Sequence, residues 1–124
     1  MKKAFLFVKN AVEGAGFYCV PAYCGDAVER IKQNAALDGR CTAVSFESAE
    51  IASANAGFRV REISVAVFYA CELSLAENGA HLDDIEKLFS ALHALRLDNK
   101  TLQCQDVRLV DRATFLVYRL DFKF

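Results

Sequence analysis

The sequence predicts an α+β fold, with an antiparallel or mixed sheet that contains one long β-hairpin and is packed on one face by two or three helices. Three observations carry this. VREISVAVFYACE, Val60 to Glu72, is a thirteen-residue run rich in β-branched and aromatic residues, without Gly or Pro. As a strand it would extend about 40 Å at ~3.3 Å per residue, twice the usual length. Leu82, Ile85, Leu88, Phe89, Leu92 and Leu95 recur at helical spacing. The predicted elements follow one another as α-β-α-β-β-α-β-β, a sheet covered by helices.

Each element has its own signal. From Lys2 to Glu13, Phe5, Val8 and Val12 share one helical face, and Gly14 and Gly16 end it. GFYCVPAY reads as a short edge strand, because Pro21 cannot donate to a ladder. Asp26 and Glu29 have capping-box spacing and open a helix to about Leu37, stopped by LDG. CTAVSFESAEI and the run from Phe58 flank ASANAG, the pattern of a hairpin. In its second strand Ile63, Val65, Val67, Tyr69 and Cys71 face the core, and Ser64, Ala66, Phe68 and Ala70 face away.

The helix from Leu82 carries Asp83, Asp84 and Glu86 near its positive end. LDNKT turns the chain into two last strands near Leu102–Val110 and Thr114–Phe124. Inward alternation slips between Leu102/Cys104 and Val107/Leu109, which predicts a bulge at Gln105–Asp106. The last strand buries Leu116, Tyr118, Leu120, Phe122 and Phe124 on one face and turns Phe115 and Val117 to the other.

At 124 residues the chain has the length of one domain that needs neither disulfide nor metal to hold a core. Hydrophobic residues make up 54%, so with one Pro and six Gly most of the chain should be regular structure. Fifteen Lys and Arg against sixteen Asp and Glu give no basic field for nucleic acid. The opening MKKAFLFVKN imitates a signal peptide, but its apolar run stops at Lys9; no segment approaches a membrane span. Five widely spaced cysteines read as buried thiols in a reducing compartment.

Motifs for chemistry are absent. Cys19 and Cys24 have a spacing compatible with a metal pair but lack a second half. His81 reads as a helix-start residue and His93 as a boundary histidine; only a Cys–His pair meeting in space would make either reactive. AENGAH and EGAG contain neither GxGxxG nor a Walker loop. Asp83, Asp84 and Glu86 read as dipole partners on a solvent face. Arg59, Arg61, Arg108, Arg112 and Arg119 lie near Glu62, Asp106, Asp111 and Asp121, which predicts cross-strand pairing. No catalytic residue, metal or cofactor is expected.

The order of ISVAVFYACEL, the loop ENGAH, the helix LDDIEKLFSALHALRL and the strands LQCQDVRLVD and TFLVYRLDF resembles the tail-terminator and tail-completion proteins of long-tailed bacteriophages, particularly the Mu-type group. The resemblance covers about two-thirds of the chain and implies a small protein that assembles as a ring at the end of a tail tube. A homo-oligomer is then expected, with tail-tube or head-connector proteins as partners, in the host cytoplasm during assembly and in the virion tail afterwards. The long strand would serve as an arm reaching a neighbouring subunit. Ala66, Phe68, Phe115 and Val117 would form an apolar interface patch, joined by Ser53 and Asn55 near the tip of the Glu47–Arg61 hairpin. The alternative reading is a small cytosolic ligand-binding domain or enzyme, with its pocket between the sheet and the Leu82–Leu95 helix.

Overall fold

The computed structural model describes residues 2–21, 26–54, 57–76 and 78–124; Cys24 and Asn55 lie outside them. In chain order the elements are α1 (Lys2–Gly14), β1 (Cys19–Pro21), α2 (Ala27–Asp38), β2 (Arg40–Ala54), β3 (Gly57–Glu72), a 3-10 turn (Leu73–Ala76), α3 (Ala80–Leu92), the two-residue strands β4 (Arg96–Leu97) and β5 (Lys100–Thr101), β6 (Gln103–Arg112) and β7 (Phe115–Lys123). This is the α+β class. The main sheet runs β1-β2-β3-β7-β6, with β1 and β2 parallel and every other pair antiparallel. None of the described helices is long and apolar enough to cross a membrane.

The larger core lies between the sheet and the helices α1 and α3. Ala4, Val8 and Val12 of α1, and Ile85, Leu88 and Leu92 of α3, meet Val65, Val67, Tyr69, Leu120 and Phe122. Tyr118 and Phe124 pack at its margin. The stripe on α3 is narrower than the spacing predicts. Leu82 and Phe89 are exposed, because at 100° per residue Phe89 lies a full step from Leu88, off the buried arc. Asp84 occupies that arc instead.

The second core lies on the opposite face, and α2 makes it. A parallel β1–β2 pair needs a crossover, and α2 is the connection. Its Ala27, Ile31 and Ala35 pack on Ala43, Ala66, Phe68, Ala70 and Val117. The alanines let the helix approach closely, and Ile31 and Phe68 fill the remaining space. The expected capping box does not form. Asp26 sits at φ −96°, ψ 4°, outside the extended backbone from which a cap reaches the first-turn amides, and makes no side-chain cap bond. Its carboxylate accepts a 2.7 Å bond from Arg30 instead. The expected stop holds: Gly39, at φ 84°, donates its N–H to the Ala35 carbonyl.

The expected bulge falls between Cys104 and Asp106, and a second shift follows between Leu109 and Asp111. β2 has its own shifts, between Phe46 and Ser48 and between Glu50 and Ile51.

Candidate functional site

The sixteen residues of β3 divide into two regimes. Ser64–Cys71 is paired on both sides, to β2 and to β7. Among the described residues Gly57–Glu62 pairs only with β2, so with Glu50–Ala54 it forms a two-stranded arm about 20 Å long at ~3.3 Å per residue. Its base is anchored: the Lys100 ammonium donates to the Val60 and Arg61 carbonyls at 3.2 and 2.9 Å. Arg61 also pairs with Glu50 at 3.4 Å. Farther out, Phe58 is 72% exposed and Ile51 52% exposed.

The predicted interface residues separate accordingly. Ser53 is exposed on the arm opposite Phe58, and Asn55 belongs to the undescribed turn. Ala66, Phe68 and Val117 are buried beneath α2, with Phe115 partly buried against the same cluster. The reading of these four as an open intersubunit patch is therefore corrected. It placed all helices on one face, whereas the β1–β2 crossover carries α2 to the other.

Beyond α2 the same sheet face is polar. Arg119 bonds Asp121 at 2.8 Å and lies 3.4 Å from Glu47, and Arg108 reaches Asp106 at 3.3 Å. Lys123 pairs with Glu62 and Lys32 with Asp111. The Lys32 hydrogen bond holds the Asp111 carboxyl below its usual range. The expected cross-strand pairing occurs in part: Arg61 reaches Glu50 across β2–β3 and Arg108 reaches Asp121 across β6–β7 at 3.9 Å, whereas Arg108–Asp106 and Arg119–Asp121 each lie within one strand. Arg59 and Arg112 make no ion pair among the described residues.

At the end of the sheet away from the arm, an open groove of about 650 Å³ is lined by Leu73, Ser74, Ala76, His81, Leu109, Arg112, Leu116 and Tyr118. His81 Nε2 lies 3.3 Å from the Tyr118 hydroxyl, while its Nδ1 is buried without a hydrogen-bond partner.

Beside this groove, the buried Asp84 carboxylate accepts hydrogen bonds from the Tyr69 hydroxyl at 2.5 Å and from Arg40 at 2.8 and 2.9 Å. The Arg40 guanidinium also lies 5.6 Å from the centre of the Phe17 ring. Burial, followed by the Asp84 bond, pushes the Tyr69 hydroxyl far above its ordinary value, so it remains a hydrogen-bond donor. The reading of Asp84 as solvent-facing is thereby overturned. The signal was available, because Asp84 stands four residues before Leu88 and shares its face.

Among the described residues, His93 and three of the cysteines are held in structural roles. His93 Nδ1 accepts the Cys104 amide at 3.2 Å, and its ring stacks on Phe89. A histidine and a cysteine do meet here, but through the cysteine's backbone. Burial raises the thiols of Cys19, Cys71 and Cys104, the direction opposite to an activated nucleophile. Among the described residues no group of three or more His, Cys, Asp or Glu is placed to hold a metal ion.

The molecule is thus an α+β protein with a projecting hairpin arm at one end and a donor-lined groove at the other. No known protein family and no curated protein matches the chain in sequence.

Proposed function

We propose that this chain is a non-enzymatic assembly protein that self-associates through its hairpin arm, in the manner of the ring-forming phage tail-terminator and tail-completion proteins that its element order resembles. The observation that carries the reading is the arm. Among the described residues its two strands pair only with each other, and it holds Phe58 and Ile51 in water. An arm of this kind gains its apolar contacts only from another molecule. In that setting the neighbours are further copies of the chain, with tail-tube or head-connector proteins above and below, in the assembling virion tail.

Sedimentation of the purified protein tests this. A discrete oligomer is expected, and Phe58→Asp should dissociate it while leaving the circular dichroism spectrum unchanged. A monomer at every accessible concentration, or an oligomer indifferent to Phe58→Asp, would remove the arm from the assembly.

A ligand-binding domain is the second reading. The groove favours it, because it lies where that reading expects a pocket, between the sheet and the start of α3.

A further inference from the structure

We propose that the groove at the end of the sheet binds a carboxylate carried on a short apolar body. Its apolar walls are Leu73, Ala76, Leu109 and Leu116, and its polar side chains are Ser74, His81, Arg112 and Tyr118. Among the described residues no acidic one lines it, and each of the four polar groups can donate a hydrogen bond. The volume of about 650 Å³ suits a small molecule.

The arrangement of donors follows from His81. Its Nδ1 is sealed from solvent and has no partner, and its Nε2 faces Tyr118. If Tyr118 donated to Nε2, the neutral ring would carry its proton on Nδ1 as a buried, unsatisfied N–H, the costlier orphan. The favoured arrangement puts the proton on Nε2, donating to the Tyr118 oxygen. The Tyr118 hydroxyl is then free to turn its own proton into the groove.

Arg112 supplies the charge. It is exposed and makes no ion pair among the described residues, whereas Arg61, Arg108 and Arg119 all have carboxylate partners. One guanidinium fork with neutral donors beside it matches a planar monoanion better than a dianion. The leucine walls require hydrocarbon on the same molecule. Self-association through the arm is not needed for this binding.

Methyl NMR of the full chain, titrated separately with sodium hexanoate, hexanol and inorganic phosphate, is the test. Hexanoate should give saturable shifts at Leu73, Leu109 and Leu116. Hexanol and phosphate, each lacking half of the recognition, should bind about tenfold more weakly or worse. Arg112→Gln, at an exposed position that leaves the fold intact, should weaken hexanoate by about tenfold and leave hexanol unchanged. Shifts that do not saturate, hexanol binding as tight as hexanoate, or an Arg112→Gln variant with undiminished affinity would each overturn the proposal. Sedimentation with and without hexanoate then distinguishes the source. Dissociation of an oligomer marks a carboxylate from a second copy, and an unchanged oligomer marks a free small molecule.

Discussion

Tyr69 shows how one buried hydroxyl can set the response of the fold to alkali. Burial and the bond to Asp84 raise its pKa from 10.0, so above that pH the unfolded chain releases a proton that the folded chain keeps. The folded state then binds more protons than the unfolded state, and stability falls as pH rises, by about 1.4 kcal/mol per unit once the unfolded tyrosine is ionised. The contribution is complete below pH 10. Urea unfolding at pH 9 and pH 11 should show a steeper loss for the native sequence than for Tyr69→Phe; equal slopes would assign the alkaline loss to other groups. The sequence placed Tyr69 correctly in the core but gave no account of its hydroxyl. The missing partner was Asp84, read as a first-turn acid because first-turn acids usually face water. Its register with Leu88 was the competing signal, and a buried Tyr needing an acceptor would have decided between them.

At the scale of elements, α2 separates what the sequence could give from what it could not. Its extent and its Gly39 stop are legible from local spacing, although the capping box that marked its start does not form. The side of the sheet it covers is not, because that depends on β1 lying parallel to β2, a pairing between segments that carry no mark of direction. The same ignorance turned the Ala66, Phe68 and Val117 face into an apparent docking patch. With Phe68 only 6% exposed beneath α2, Phe68→Asp should unfold the monomer rather than release it from an oligomer. Circular dichroism of the purified variant distinguishes the outcomes: a folded, dissociated chain would return Phe68 to the interface. The long strand was legible in extent, and the bulge near Gln105 could be read from its broken alternation. The bulges of β2 could not, because SFESAEI alternates too weakly to show a slip.

For the whole molecule, β3 is the shared wall of two cores, with Val65, Val67 and Tyr69 facing one and Ala66, Phe68 and Ala70 the other. Neither layer can melt without exposing the back of the strand that supports the second. Leu92→Ala from the first core and Ile31→Ala from the second should each cost about 2–5 kcal/mol and shift one common transition. Far-ultraviolet dichroism and tyrosine fluorescence, followed through a urea titration, should coincide for both variants; separate transitions would mean that the cores are independent. The outer side of the sheet has a different consequence. Among the described strands β6 pairs only with β7, and Val107, Leu109 and Val110 along it are exposed, the composition that invites cross-β growth. Its two register shifts leave only Asp106 to Leu109 as an unbroken run, with charged Asp106 and Arg108 inside it. An incoming strand finds too short a template to continue, so the rim should resist fibril growth even in concentrated solution.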